Sequence, residues 1–226
     1  SDVKTWQVGT EIGAMALRGK GGVVIALKYG FGLFDFDSGE LKTFAGPTGD
    51  DPAIRLNDGK VDPGGRFIVG SLDMETIGGD RSTWPGPPRG ALYRLDTDLS
   101  LHPLADDIAV SNGPCWSADG QTFFFTDSMV PAIYAYDWDV AAGVPANRRV
   151  FYASPGKELP DGATVDARGH YWYAANGLQS GEGAICCVSP DGQLERRIPM
   201  PVAKVTSIAF GGPDLDILYV TSMSVH

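Results

Sequence analysis

The sequence has few cysteines and histidines. Its 226 residues contain three of each, with no CxxC pair and no HExxH motif. Cys115, Cys186 and Cys187 therefore predict neither a disulfide framework nor a thiolate zinc cluster, and we expect buried, reduced thiols. A GxSxG nucleophile elbow is missing as well. These absences argue against a histidine-based metallohydrolase and against a standard serine hydrolase.

Basic residues are also in the minority. Lys and Arg number 18 against 28 Asp and Glu, which gives a formal net charge of -10, and the basic residues form no run. This balance disfavours a nucleic-acid groove or an anionic membrane surface as partner and favours cations and neutral polar ligands.

Long apolar runs are missing too. No stretch approaches the roughly 20 apolar residues needed to cross a bilayer, and the opening residues SDVKTWQVGT lack the basic-then-apolar layout of a signal peptide. We therefore expect a cytoplasmic protein that binds neither nucleic acid nor membranes. With 43% hydrophobic and 10% aromatic residues, the chain can bury a substantial core, and we expect residues 1–226 to form one domain.

A repeated pattern runs along the chain: a polar residue, a short apolar strand, a Gly-rich turn and a longer apolar or aromatic strand. Clear copies begin at Asn57, Asn112 and Asp161, and weaker copies begin at Glu11 and Val205. In four copies the polar residue precedes the turn glycine by eight residues, and these copies start 46, 55 and 49 residues apart. Further strand-like runs such as GALYRLD and GAICCVSPDG lie between them.

This period predicts an all-β fold. About four short strands per unit of roughly 40 to 50 residues are typical of a blade in a β-propeller. The four-stranded blades would begin near residues 11, 57, 112, 161 and 205, so about five are visible in the chain. A β-sandwich, the other all-β possibility, would not explain the fixed spacing.

The polar residue of each copy is a candidate site residue. Equivalent positions of successive blades lie at one height around the propeller axis, so Glu11, Asn57, Asn112 and Asp161 are expected to ring one mouth of the channel. Carboxylate and amide oxygens suit Ca²⁺, Mg²⁺ or Mn²⁺. The alternative is that these side chains only stabilise turns, as Asp before Gly often does.

At these residues the sequence resembles the SMP-30/gluconolactonase family, which includes the regucalcins. The resemblance rests on five stretches, in this order: RLNDGKVDPGGRFIVGSLDMET, GALYRLD, SNGPCWSADGQTFFFTDS, NRRVFY and LPDGATVDARGHYW. It implies a six-bladed propeller, one divalent cation (Ca, Mn, Mg or Zn) near the channel mouth, and hydrolysis of sugar lactones to aldonic acids.

The resemblance also implies roles for single residues. Asn112 and Asp161 match metal ligands of the family, and Asp161 matches its candidate general base. Arg55, Asn57 and Glu75 match residues that contact the substrate. Without the resemblance, Arg55 and Glu75 would be interpreted as members of surface or interblade ion pairs.

The sequence departs from the family pattern in one blade. The family's third metal ligand, a glutamate in a GE.P.W stretch, has no match here, and neither do the strands that close the ring. The ring is therefore expected to be incomplete in this chain, and Glu11 is a possible replacement ligand.

Two alternative functions follow: a noncatalytic propeller that binds a cation or sugar or serves as an interaction scaffold, and a metal-dependent esterase or phosphotriesterase. We expect a monomer or a weak homo-oligomer.

Overall fold

A computed structural model describes residues 3–49, 51–77, 81–130, 132–154, 158–177 and 180–224. The described chain is almost entirely β-structure, with one short 3-10 turn at Arg81–Thr83. Its strands form successive antiparallel sheets, each built from strands that are consecutive in the sequence. The all-β prediction is confirmed. None of the described residues belongs to a helix with the length and apolarity that crossing a membrane would require.

The first two sheets have four strands each. Sheet 1 contains β1 (Ile12–Leu17), β2 (Val23–Leu27), β3 (Gly30–Phe34) and β4 (Leu41–Ala45). Sheet 2 contains β5 (Ile54–Val61), β6 (Phe67–Asp73), β7 (Gly90–Leu95) and β8 (Leu101–Ile108).

The remaining strands form two more four-stranded sheets and a two-stranded one. Sheet 3 contains β9 (Ser111–Trp116), β10 (Thr122–Asp127), β11 (Ala132–Asp139) and β12 (Val144–Ala153). Sheet 4 contains β13 (Leu159–Val165), β14 (Tyr171–Asn176), β15 (Ala184–Val188) and β16 (Leu194–Pro199). Sheet 5 contains β17 (Val205–Gly211) and β18 (Ile217–Ser222).

The sheets are arranged as blades of a propeller. The first strand of each sheet packs against the first strand of the next, in the series β1, β5, β9, β13 and β17. These five strands line the centre, and the later strands of each sheet lie outside them. The β-propeller prediction is therefore confirmed, while the six-blade count stays a prediction.

The core consists of apolar layers between adjacent blades. Phe31 of sheet 1 packs with Leu56 and Phe67 of sheet 2, and Phe124 of sheet 3 packs with Tyr171 of sheet 4. Side chains of this size each contribute about 1.5–3 kcal/mol when fully buried.

The three cysteines belong to this buried interior and are free thiols, as predicted. Burial raises the pKa of the Cys115 thiol to about 12, which keeps it protonated and unreactive.

Every inner strand carries a β-bulge near the same end. One extra residue is inserted opposite its partner strand in β1, β5, β9, β13 and β17. A bulge interrupts the ladder and turns its side chains in a new direction. Asn57 and Asp161, polar residues of the sequence repeat, lie within the bulges of β5 and β13, and Asn112 immediately precedes the bulge of β9.

The bulge in β1 contains Gly13, and a side chain there would not fit. A Cβ atom on Gly13 would lie 2.6 Å from the carbonyl oxygen of Asn57 on the neighbouring inner strand. The glycine thus allows the first two blades to approach closely where their bulges meet.

Candidate active site

A cavity of about 290 Å³ opens where the bulges of the inner strands meet. Each inner strand contributes to its wall, which has a polar part and an apolar part. The polar part contains Arg55, Asn57, Asp58, Asn112, Ser128, Asp161, Asn176, Thr206 and Ser207. The apolar part contains Leu72, Ile77, Val110, Met129, Leu159 and Met223.

A chain of hydrogen bonds orients Asn112. The Nδ2 of Asn57 donates to Oδ1 of Asn112 at 2.9 Å and to the carbonyl oxygen of Ser111 at 2.8 Å. The Nδ2 of Asn112 donates to Oγ of Ser128 at 2.8 Å, and that hydroxyl donates to the carbonyl oxygen of Pro160 at 2.5 Å. Asn112 is therefore held from both sides, and its Oδ1 keeps acceptor capacity on the cavity wall.

Asp161 is a buried carboxyl group with neutral partners. Its Oδ1 accepts the N–H of Gly162 at 3.0 Å, and its Oδ2 accepts Nδ2 of Asn176 at 3.1 Å. Burial, opposed by the Asn176 hydrogen bond and supported by the nearby Asp58, raises the pKa of Asp161 to about 7. Within the described residues no Lys, Arg or His forms an ion pair with it.

Asp58 is a second carboxyl group on the cavity wall. Its Oδ1 accepts the N–H of Gly59 at 2.8 Å, and its Oδ2 accepts the N–H of Gly113 at 2.9 Å. Burial raises the pKa of Asp58, and the charge of Lys60 opposes this shift. The cavity thus contains two carboxyl groups that disfavour each other's ionisation.

Arg55 supplies a cation to the same cavity. Its pKa is lowered by burial, with a small opposite influence from Glu11. No hydrogen bond or ion pair joins its guanidinium to another residue of the described ranges. Its donor fork is therefore available to a ligand with hydroxyl or carboxylate oxygens.

Glu75 and Glu11 lie outside the cavity lining. The Oε2 of Glu75 lies 3.1 Å from Nη2 of Arg89, which also pairs with Asp73 and Asp51. The Oε1 of Glu11 lies 3.3 Å from Nζ of Lys28. The structure thus brings together Arg55, Asn57, Asn112 and Asp161 and places the two glutamates in ion pairs, while the roles of all six stay predictions.

Five polar residues of the cavity wall had no place among the predicted residues: Asp58, Ser128, Asn176, Thr206 and Ser207. A signal for two of them was present, because the repeated copies from Asn112 and Asp161 end on Ser128 and Asn176. Ser128 directly follows β10, and Asn176 is the last residue of β14. Asp58 directly follows Asn57 within its bulge, where β9 and β13 have glycine.

The donor atoms fit a hard divalent cation. The side chains of Asn112 and Asp161 offer oxygen ligands, which Ca²⁺, Mg²⁺ and Mn²⁺ prefer, while both oxygens of Asp58 already accept backbone N–H groups. A cation would also favour the charged form of Asp161, whose pKa is raised by burial and, to a smaller extent, by the nearby Asp58. Among the described residues no three or more His, Cys, Asp or Glu side chains form a metal-binding group.

Known proteins resemble this chain over almost its full length. The family model described as SMP-30/gluconolactonase/LRE-like region matches residues 1–224. Regucalcin of Xenopus laevis is 36% identical over 223 residues, which cover 97% of this chain and 72% of the relative. The 6-deoxy-6-sulfogluconolactonase of Pseudomonas putida is also 36% identical, over 226 residues that cover 97% of this chain and 72% of that protein.

A solved structure shows the same fold. The crystal structure of regucalcin from Agrobacterium tumefaciens, described as a calcium-binding protein, superposes with a TM-score of 0.85 at 31% identity. The match covers 96% of this chain and 70% of that one. The extent of these matches and the motifs on the cavity wall lead to one conclusion: the chain belongs to the SMP-30/gluconolactonase/LRE-like family.

Proposed function

We propose that the protein hydrolyses sugar lactones to aldonic acids with the help of one divalent metal ion. One observation carries the proposal: Asp161, a buried carboxyl group with a pKa of about 7 and no cationic partner in the described chain, faces a cavity shared with Asn112 and Arg55. The relative named as a sulfogluconolactonase supports the substrate class.

Asn112 and Asp161 would hold the ion, whose chemistry when bound is to polarise a carbonyl group and stabilise negative charge on its oxygen. The remaining chemistry belongs to the protein. Asp161 takes a proton from the attacking water, because its carboxyl group lines the cavity and is held there only by neutral donors, the Gly162 N–H and Nδ2 of Asn176. The water oxygen bonds to the lactone carbonyl carbon, the ring C–O bond breaks, and the released alkoxide takes up the proton that Asp161 removed from the water.

Arg55 and Asn57 bind the substrate in this proposal. The guanidinium of Arg55 donates to sugar hydroxyls or to the carboxylate of the product. Asn57 supports Asn112 through its 2.9 Å hydrogen bond and presents its own carbonyl oxygen. Glu75 would reach a substrate only after its ion pair with Arg89 opens.

A noncatalytic propeller that binds a cation or sugar is the second candidate. It is favoured by the small number of acidic ligands, since the described residues contain no metal-binding group of three or more His, Cys, Asp or Glu side chains. Such a protein would use the same Asn112 and Asp161 oxygens and would bind calcium without turnover.

The test is lactone hydrolysis followed with a pH indicator. The chain is stripped of metal and then supplied with Ca²⁺, Mn²⁺, Mg²⁺ or Zn²⁺, with hexonolactones, pentonolactones, an aryl ester and a phosphotriester as substrates. We expect lactone turnover that depends on metal and disappears in Asp161→Asn. Asp166→Asn is the matched control, because Asp166 follows the same strand but binds His170 and Trp172 away from the cavity.

Three outcomes would change the proposal. Ester or phosphotriester turnover without lactone turnover would assign the esterase function instead. Calcium binding without turnover of any substrate would assign the noncatalytic function. Equal losses in Asp161→Asn and Asp166→Asn would mean that Asp161 matters only for folding.

We also propose that residues 1–226 form one domain, because the inner strands pack in one continuous series. A single cooperative thermal transition, seen by both far-UV and near-UV circular dichroism, would support this. A cytoplasmic location and a monomeric or weakly associated state stay predictions, and size-exclusion chromatography with light scattering tests the latter.

A further inference from the structure

Two charged side chains of β5 reach the next two inner strands of the series, β9 and β13. Asp58 contacts the bulge of β9, and Lys60 contacts the bulge of β13. Asn112 immediately precedes the first of these bulges, and Asp161 lies within the second. One strand therefore contacts both segments that carry the proposed metal ligands.

The contact of Asp58 depends on an unusual backbone conformation. Gly113 has a φ of 62°, in the left-handed region that glycine adopts without strain. Its N–H then points at Oδ2 of Asp58, 2.9 Å away, while Oδ1 accepts the N–H of Gly59 at 2.8 Å. Asp58 thus binds the backbone immediately after Asn112 and the backbone of its own bulge.

β5 is the inner strand with room for this side chain. In β9 and β13 the residue at the corresponding position is Gly113 or Gly162. A Cβ atom on Gly113 would lie 2.9 Å from the Tyr171 hydroxyl, and one on Gly162 would lie 2.2 Å from Oγ of Ser207. A carboxyl group fits only on β5 among these three strands, and there it accepts a hydrogen bond from β9.

Lys60 makes the longer connection. Its Nζ donates to the carbonyl oxygen of Ala163 at 2.8 Å, two residues after Asp161 and on the strand beyond β9. The positive charge also opposes the effect of burial on the Asp58 carboxyl group. Loss of Lys60 would therefore remove a tether to β13 and weaken the contact between Asp58 and β9.

We propose that Asp58 and Lys60 are positioning residues that hold the β9 and β13 bulges so that Asn112 and Asp161 face the same cavity. This inference rests on the proposed function, because its expected consequence is a change in metal affinity. Asp58 and Lys60 would control that affinity without being metal ligands themselves. Hydrogen-bonded groups behind metal ligands typically change metal affinity by about 10- to 100-fold when they are removed.

The first measurement reports on the bulge without any metal. Labelling with ¹³C-carbonyl Asn and ¹⁵N-Gly selects the Asn-Gly pairs, of which the chain has two, Asn112-Gly113 and Asn176-Gly177. The N–H of Gly177 donates to the carbonyl oxygen of Ala203 at 2.8 Å, so it is an internal reference. In Asp58→Ala we expect hydrogen exchange at Gly113 to accelerate by roughly tenfold or more relative to Gly177.

The second measurement is calorimetric titration with Ca²⁺. We expect the Kd to rise by about 10- to 100-fold in Asp58→Ala and by a smaller factor in Lys60→Met. Asp58→Asn, which keeps an oxygen for Gly113, should recover part of the affinity. If Asp58→Ala does not fold, Asp58→Asn and Lys60→Met carry both measurements.

Asp62→Ala is the matched control. Asp62 follows β5 in the turn to β6, and its buried carboxylate accepts hydrogen bonds from Arg66 far from the cavity. The control loses a comparable buried group, so it should lower stability and leave Gly113 exchange and calcium affinity unchanged. Equal effects of Asp58→Ala and Asp62→Ala, or unchanged Gly113 exchange in Asp58→Ala, would overturn the inference.

The two proposals fail in different ways. If the wild-type chain neither binds calcium nor hydrolyses lactones, the proposed function fails, and the exchange of Gly113 against Gly177 alone decides whether Asp58 holds the bulge. If the wild type is active and the Asp58 and Lys60 variants match Asp62→Ala in both readouts, the proposed function stands and the positioning inference fails.

Discussion

The bulge regions of β1 and β13 contain acidic residues in the same repeat register but in opposite environments. Glu11 and Asp161 each precede a turn glycine by eight residues. Asp161 lines the cavity with neutral partners, and burial raises its pKa to about 7. Glu11 has a side chain that is 62% exposed, and its hydrogen bonds and the charge of Lys28 lower its pKa.

The neighbours of the two residues explain the difference. Asp161 lies between inner strands on both sides, so water is largely replaced by backbone and amide groups, and the charged form is disfavoured. Glu11 faces solvent and has a lysine within reach, so the charged form is favoured. The repeat register therefore places a residue near the channel mouth, and the packing around it decides its chemistry.

The largest expected effect that sharpens this comparison is on catalysis. Asp161→Asn should lower kcat/KM for the lactone by roughly 10³-fold, because it removes the proposed base and a charged ligand. Glu11→Gln should stay within about twofold, since an exposed ion pair contributes little. Steady-state kinetics at saturating metal checks both. A comparable loss in Glu11→Gln would break the comparison and assign Glu11 to the metal site.

A second effect is on the stability of the metal-free protein. Asp161 binds its proton more tightly when folded, with a pKa of about 7 against an ordinary value of 3.8. The proton on Asp161 therefore stabilises the folded state at low pH, and this stabilisation is lost as the pH rises from 3.8 to about 7. Asp161→Asn should stabilise the metal-free chain at pH 8 by about 4 kcal/mol and change little at pH 4.

Urea unfolding at the two pH values measures this difference. Glu11→Gln is the matched variant, and it should show no gain at pH 8, because the pKa of Glu11 is lowered instead. A gain of the same size in Glu11→Gln would show that net charge, and not burial of Asp161, causes the effect.

The smallest expected effect concerns the partners of the two acids. The Nδ2 of Asn176 donates to Oδ2 of Asp161, and this hydrogen bond lowers the pKa of the carboxyl group. The substitution Asn176→Ala removes the donor. The pKa should rise, and the acidic limb of the pH–rate profile should move upward by about one pH unit or less. Lys28→Met removes the partner of Glu11 and should leave the profile in place. A shift in Lys28→Met, or none in Asn176→Ala, would contradict the comparison.

Much of the fold could be predicted from local sequence. The strand–turn–strand copies starting at Asn112 and Asp161 became β9–β10 and β13–β14, since apolar alternation and Asp-Gly or Arg-Gly turns act over short distances. The cysteines were correctly predicted to be buried free thiols. An ion pair of Glu75 was one of the alternatives that the sequence left open. Its partner, Arg89, lies at the other end of the loop between β6 and β7 and could not be chosen from local sequence.

The sequence by itself determined the β-propeller, its repeat register and the polar residue types near the channel mouth, because these follow from periodicity within each unit. The tertiary structure decided which polar residues share a cavity. Beside the bulges of β5, β9 and β13, the side chains of Asn57, Asn112 and Asp161 line one cavity together with Asp58. Burial and charge are properties of neighbours from different blades, and contacts between blades are not encoded in the spacing of any single unit.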